Sequence, residues 1–174
     1  MPVSDSGETD VATDEGVVEA FLTAFVGGDA EGVAELVTED AVLHQPRWPL
    51  DTEGRAAIVA KTRTAEGTFA DVSVTVEQSV RSGDRIAVQV TATGRNVGPL
   101  RMEDREIAPT GRTFTVPQFG IYRLEDGKVA EAWVMADALG LVEQLGNFPA
   151  GPGKLLGIAL RQLRWRLGGR QRLD

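Results

Sequence analysis

The 174-residue chain contains 26 acidic and 18 basic side chains, for a formal net charge of -8, and 42% of its residues are hydrophobic. These values fit one folded domain with flanking segments and exclude disorder of the whole chain. The sequence contains no cysteine, which excludes disulfides, thiolate nucleophiles and thiolate metal ligands.

The charges are distributed unevenly along the chain. Residues 1–40 carry eleven Asp and Glu and no Lys or Arg, whereas residues 154–174 carry six basic residues and one acid, Asp174. Because the middle is close to neutral, we predict no nucleic-acid partner. The acidic start lacks the pattern of a secretory signal, and no run approaches the roughly 18 apolar residues of a membrane span. We therefore expect a cytoplasmic protein.

The first part of the chain is predicted to be helical. Residues 1–12 have little to bury, and we expect a disordered acidic leader. Thr13 can cap a first helix, along which apolar residues recur at helical spacing: Val17, Phe21, Ala24 and Phe25. The "GGD" at 27–29 ends that helix, and Asp29 begins a second. A short strand at 41–44 follows.

The second part of the chain is predicted to be mainly strand. After a loop with two prolines, residues 55–65 indicate a third helix, and the apolar period then changes from 3.6 to 2. Alternating segments around Val72 and Ile86 predict strands joined by a turn at 82–84. Residues 96–111 are interpreted as a mobile loop before two final strands, 112–124 and 128–137. The order gives an α+β class, with the main domain over residues 13–148.

The end of this domain carries a recognisable motif. The segment "GRTFTVPQFGIYRLEDGKVAEAWVMADALGLVEQLG", residues 111–146, contains a D-G-K hairpin and a closing D-x-x-G-L-x-x-Q-L-G stretch that begins at Asp137. It resembles the SnoaL-like polyketide cyclases of the nuclear transport factor two-like superfamily. The resemblance implies a cone: a strongly curved mixed or antiparallel sheet wrapped around three helices, with an apolar cavity in which family members cyclise polyketide esters by aldol chemistry.

The chain departs from that family at two positions. In the family's aldol cyclases, an Asp that acts as acid and base lies three residues before the position of Asp137, and a His lies two residues after the position of Gln118. This chain has Val134 and Gly120 at those places. The fold hosts many functions, so the resemblance predicts a pocket more firmly than a reaction.

Three residues are candidate catalytic groups. Gln118 matches a pocket position of the family and could hold a carbonyl or enolate oxygen, or it could bond a neighbouring strand. Asp137 could cap the helix that follows, act as a general acid or base from a buried position, or do both. His44 is the only histidine, and its ordinary pKa suits proton transfer, although a lone histidine is more often a bystander. No metal site or cofactor is predicted.

Five residues are candidate substrate contacts: Trp48, Asn96, Tyr122, Val134 and Trp133. Tyr122 shares strand parity with Gln118. Trp48 could shield the cavity entrance, and Asn96 could line the pocket or serve a turn. Trp133 and Glu131 have the opposite parity to Val134 and should point away from its side, and core packing is the simplest role for Trp133.

Residues 149–174 form a basic tail that the resemblance does not explain, because family domains usually end near Gly146. Leucines share one helical stripe over residues 154–167, which predicts an amphipathic helix. It could pack on the domain or on a second subunit, or residues 154–172 could make weak contact with an anionic membrane. The resemblance itself implies a homodimer.

The sequence thus predicts a small-molecule enzyme, most simply a cyclase that acts on a hydrophobic, polyketide-like substrate. Gln118 and Asp137 would polarise the substrate while the cavity sets its conformation. Two alternatives remain open. One is an epoxide hydrolase or isomerase on the same fold, and the other is a protein that binds a hydrophobic ligand without catalysis.

Overall fold

The structure is a computed structural model that describes residues 13–45, 51–102, 105–147 and 152–168. The predicted leader and Trp48 lie outside these residues. The described part contains a six-stranded sheet, a small hairpin and five helices.

Two of the three helices of the first half begin at a polar side-chain cap. Helix α1 spans Asp14–Gly27, α2 spans Ala30–Leu36 and α3 spans Arg55–Arg63. The Thr13 hydroxyl accepts a hydrogen bond from the Gly16 amide at 3.0 Å, and the Asp29 carboxylate accepts one from the Gly32 amide at 2.9 Å. Both predicted helix starts are therefore confirmed, because each cap satisfies an amide that the helix leaves unpaired.

The six-stranded sheet has the order β2-β1-β8-β7-β4-β3. Its strands are β1 Val37–His44, β2 Thr52–Glu53, β3 Phe69–Ser82, β4 Arg85–Asn96, β7 Thr113–Glu125 and β8 Lys128–Ala136. Strand β1 pairs in parallel with β8, and the other neighbours are antiparallel. This mixed sheet with helices confirms the predicted α+β class. Strand β1 begins earlier than the predicted 41–44 and contains a register shift between Val37 and Val42.

The segment between β4 and β7 corrects one prediction. In place of a mobile loop, it contains a hairpin of β5, Leu100–Met102, and β6, Arg105–Ile107. Its base is tied to the end of β4, because the Asn96 amide donates a hydrogen bond to the Arg112 carbonyl at 2.9 Å. Glu103 and Asp104 lie outside the described residues.

Alternation along the strands gives the sheet two faces, which we call the inner face and the outer face. The inner face packs on α1 and α2 and supplies most of the core, including Ile86, Val88, Val90 and Ala92 from β4 and Val116 and Tyr122 from β7. The outer face carries the alternate residues, several of them large, apolar and exposed: Val80, Phe119, Ile121, Trp133 and Met135. Each strand therefore contributes to two different environments.

Two helices follow the sheet. Helix α4, Ala138–Gln144, packs beside β7, and helix α5, Pro152–Leu167, is the amphipathic helix predicted from the tail. None of the described helices is long and apolar enough to cross a membrane.

Candidate active site

Two polar side chains stand on the inner face of β7. Gln118 and Tyr122 are four residues apart, so both point inward, and their exposed fractions are 7% and 1%. Gly120 lies between them with the same parity. The predicted shared orientation of these residues is confirmed, so the inner face of β7 carries an amide and a phenol among apolar neighbours.

Gly120 determines how the Tyr122 ring lies. A Cβ atom at position 120 would stand 2.6 Å from Tyr122 Cε2 and 2.8 Å from its hydroxyl oxygen. The outer part of the Tyr122 ring therefore lies over Gly120. A histidine side chain at position 120, as in the family's aldol cyclases, would need the space that this phenol fills.

The polar pair is electrically neutral. Burial raises the pKa of Tyr122 above its ordinary value, so its hydroxyl stays protonated and can donate a hydrogen bond at physiological pH. Among the described residues, neither the Gln118 amide nor the Tyr122 hydroxyl has a hydrogen-bond partner. Both groups are therefore free of protein partners in this part of the chain and can pair with a polar atom of a ligand.

The walls around this pair are aliphatic. Across the ladder, Gly120 pairs with Val88 on one side and Val134 on the other, and Gln118 pairs with Val90. Val134 is 9% exposed and faces inward, so the place of the family's acid is on the inner face but carries an isopropyl group. The inward-pointing residues of the described strands β4, β7 and β8 include no carboxylate and no imidazole.

His44, the candidate for proton transfer, lies on the outer face and therefore on the opposite side of the sheet from Gln118. Its ring stacks on Trp133 with 3.8 Å between centroids, Nδ1 lies 2.8 Å from Asp51 Oδ2, and Nε2 lies 3.4 Å from Glu131 Oε1. Register explains the position, because β1 is parallel to β8 and His44 pairs directly with Trp133. His44 therefore has two carboxylate neighbours and one aromatic neighbour, and its contacts with them lie away from the inner face.

Trp133 also lies on the outer face. Its parity relative to Val134 is confirmed, but core packing is wrong, because the side chain is 46% exposed. Trp133 lies in a groove of about 490 Å³ on the outer face, together with residues of β3, β4 and β7. A contact between Trp133 and a substrate on the inner face is therefore excluded by the sheet between them.

Asn96 is buried, but its polar atoms are already used. Its Nδ2 donates to the carbonyl oxygens of Thr68, at 3.2 Å, and Gly98, at 2.8 Å. Its Oδ1 accepts from the amide of Thr110 at 2.9 Å and from the hydroxyl of the same residue at 3.2 Å. Asn96 therefore ties the ends of β4 and the β5–β6 hairpin together and has no polar group left for a substrate, which corrects the predicted pocket role.

Asp137 caps α4, which confirms one of its predicted roles. Its Oδ1 accepts a hydrogen bond from the Gly140 amide at 2.8 Å, and the residue is exposed. Other residues of the closing motif are structural as well. The Gln144 side chain bonds both the amide and the carbonyl of Thr115, at 2.8 and 2.9 Å, and Leu145 is fully buried. The motif fastens the end of the sheet, and the structure does not bring the Asp137 carboxylate to Gln118.

Sequence reasoning gave Tyr122 too little weight. The signal was present in the pattern Gln118-x-Gly120-x-Tyr122, because a glycine between two inward positions leaves room for a large ring to lie over it. The parity of the strand predicted the direction of the phenol, but the close approach to Gly120 became visible only with the ring in place.

The chain was compared with known proteins. A family model for the SnoaL-like domain matches residues 18–132. The structure is similar to TsrD from Streptomyces laurentii at 31% identity, covering 76% of this chain and 93% of TsrD with a TM-score of 0.59. It is also similar to IdmH, a putative polyketide cyclase from Streptomyces antibioticus, at 28% identity, covering 75% and 96% of the two chains with a TM-score of 0.57. No curated protein sequence matches the chain. Because the family model covers more than half of its length, the chain belongs to the SnoaL-like domain family.

Proposed function

We propose that this protein is a polyketide-associated enzyme, a cyclase that holds a hydrophobic polyketide-like substrate against the inner face and polarises it with two neutral donors. The observation that carries the proposal is the pair of Gln118 and Tyr122, buried, facing the same side, and without a partner among the described residues. Similarity to IdmH, itself described as a putative polyketide cyclase, supports the substrate class.

The absence of an acid or imidazole from the described inner strands favours a substrate that needs no protein base. A 1,3-dicarbonyl is such a substrate, because its enol is already populated. Ring closure would join the enol carbon to a second carbonyl carbon, and the enol proton would pass to the new alkoxide oxygen. The protein would then contribute hydrogen bonds to the accepting carbonyl and a folded substrate conformation.

Tyr122 and Gln118 suit these roles for different reasons. The pKa of Tyr122 is raised by burial, so the phenol donates a hydrogen bond and does not ionise. The Gln118 amide can both donate to a carbonyl and accept from an enol hydroxyl. Val88, Val90 and Val134 are buried aliphatic neighbours of the pair, and a substrate bound against them would displace water and strengthen both hydrogen bonds.

The test uses a linear tetraketide thioester and measures the rate of cyclised product with and without protein. Removal of one donor, in Gln118→Leu or Tyr122→Phe, is expected to lower kcat by about 10- to 1000-fold, as for oxyanion-stabilising donors. Gln89→Leu is the matched control, because Gln89 lies on the outer face of β4 opposite Phe119. Unchanged turnover in both inner variants would contradict the proposal.

The alternatives predict different results in the same assay. A carrier would bind the thioester saturably and leave the rate of cyclisation at its uncatalysed value. An epoxide hydrolase would need a buried Asp, Arg or Tyr network around water, and of these residue types only Tyr122 points inward from the described strands β4, β7 and β8. Hydrolysis of an aliphatic epoxide with no thioester cyclisation would favour that second enzyme.

The predicted homodimer is also a proposal, and the outer face supports it. A row of residues pairs across the ladder from Val80 to Ala87, to Ile121 and to Trp133. Exposed apolar patches of this kind commonly mark protein interfaces. Ile121→Arg should convert a dimer to a monomer in sedimentation equilibrium, and a wild-type protein that is monomeric at high concentration would contradict the proposal.

A further inference from the structure

Helix α5 has two different faces, and only one of them contacts the domain. On the docked face, Gln162 accepts a hydrogen bond from the Ala108 amide at 2.8 Å and donates one to the Glu106 carbonyl at 2.7 Å. Arg161 bonds the Asn147 side chain, and Ile158 and Trp165 are half-buried. These four residues recur at helical spacing, so the helix is fixed along one side to the edge of the β5–β6 hairpin.

The opposite side of α5 is apolar and exposed. Four leucines cover it, with exposed fractions from 46% to 79%: Leu156, Leu160, Leu163 and Leu167. With 3.6 residues per turn, this leucine face lies roughly opposite the docked face. Docking therefore turns the leucines outward and leaves them without a partner in the described part of the chain.

Basic side chains border the leucine face on both sides. Arg164 lies along one edge and Arg166 along the other, and both are exposed. Residues 152–167 contain no Asp or Glu, and the sequence beyond them adds Arg170 and Arg172. Long arginine side chains can keep their charge at a polar surface while the leucines between them enter an apolar one.

We propose that the leucine face of α5 binds an anionic lipid membrane, with the helix lying in the plane of the interface. Apolar residues between two basic edges are the arrangement that such helices use, with the apolar face entering about 5–10 Å. At about 1.5 Å per residue, the 16 residues of α5 give a helix too short to span the bilayer core. Because the rest of the chain is acidic, attraction to the lipid is confined to this helix and orients the domain away from the surface.

Charge also decides between a membrane and a second copy of the chain at this face. Two copies that met through their leucines would bring Arg164 and Arg166 close to the same residues of the other helix. No acidic side chain of α5 could offset that repulsion, and like charges across an interface are unfavourable. Anionic headgroups supply the opposite charge that this face lacks.

The experiment is co-sedimentation of the full-length protein with vesicles of phosphatidylcholine alone or mixed equally with phosphatidylglycerol. We expect binding to the anionic vesicles that weakens strongly as salt is raised, because screening shortens electrostatic attraction. Arg164→Gln with Arg166→Gln should weaken binding about 30-fold, from a factor of about five for each charge. Leu160→Ser with Leu163→Ser should abolish it.

Two controls keep the result specific. Leu139→Ser removes an exposed leucine of α4, outside both α5 and the outer face, and should leave vesicle binding unchanged. Circular dichroism establishes that each variant is folded. Failure of the wild-type protein to bind anionic vesicles, or equal binding by the leucine variant, overturns the proposal. A dimer that is lost in the leucine variant, without vesicle binding, overturns it in favour of a second copy.

Discussion

The inner and outer faces of one sheet differ in the kind of polar group that each carries. The inner face presents a neutral amide and a neutral phenol, whereas the outer face carries His44, Glu131 and their ionic partners. The Glu131 carboxylate lies 3.0 Å from Arg85 Nη2 and 3.5 Å from Arg123 Nε. A titratable residue within the family motif, such as Glu131, can therefore lie on the face of the sheet opposite the proposed active site.

The largest effect should come from removing the aromatic ring of the inner face. Tyr122→Ala leaves a cavity beneath α1, where the ring meets Phe21 edge to face with 6.3 Å between centroids. We expect a loss of about 3–5 kcal/mol in the free energy of unfolding, measured with urea. Phe119→Ala, at a 57% exposed position of the outer face on the same strand, should cost less than about 1 kcal/mol. Equal losses would contradict the assignment of the two faces.

A smaller effect is expected from adding one methyl group between the polar pair. Gly120→Ala places a Cβ 2.6 Å from the Tyr122 ring, and the resulting overpacking should cost about 1–3 kcal/mol. A double-mutant cycle identifies the cause. In a Tyr122→Leu background the same substitution should cost much less, because the ring it meets is gone. An additive pair would show that the cost arises elsewhere.

Two substitutions of Asp137 separate its capping role from a catalytic role. Asp137→Ala removes the cap of α4 and should cost about 1 kcal/mol, while Asp137→Asn should cost only a few tenths, since Asn caps equally well. Thioester cyclisation should be unchanged in the Asn variant. Loss of turnover with retained stability in that variant would return the carboxylate to the chemistry.

The smallest effect belongs to the ionic cluster of the outer face. Desolvation raises the pKa of Glu131. The hydrogen bond and charge attraction from Arg85, together with hydrogen bonds from Trp133 and His44, outweigh it, so the pKa of Glu131 is lowered overall. A lowered carboxyl pKa stabilises the fold above the unfolded value, about 4.3, and that stabilisation is lost as pH falls through the folded pKa.

Glu131→Gln makes this contribution measurable. Wild type should exceed the variant by less than about 1 kcal/mol at pH 7, and the difference should shrink as pH falls below about 4. Urea unfolding of both proteins at pH 7 and pH 3.5 provides the comparison. A difference that is the same at both values would mean that the charge of Glu131 contributes nothing to stability.

Most of the fold could be predicted because its signals are local. The caps at Thr13 and Asp29 were predicted from the residues just before each helix, and the β7–β8 turn has the left-handed Asp126 and Gly127, at φ 49° and 71°, that favour a tight hairpin. The β5–β6 hairpin was missed because its strands are three residues long and give no clear alternation.

The candidate site was predicted only in part. Strand parity is a local property, so the shared orientation of Gln118 and Tyr122 followed from the sequence. The motif that carries the family resemblance led to Asp137, yet its described polar contacts fasten α4 to β7. A residue can be characteristic of a family because the fold requires it, and then its position alone does not indicate a catalytic role.

The sequence by itself determined the order of elements, the caps, the tight turns, and which residues share a side of each strand, because these depend on neighbours along the chain. Only the tertiary structure decided that His44 meets Trp133 on the outer face, that the polar atoms of Asn96 are fully used, and that the leucines of α5 point outward. Those outcomes depend on the parallel pairing of β1 with β8 and on docking through Gln162, contacts between residues far apart in sequence.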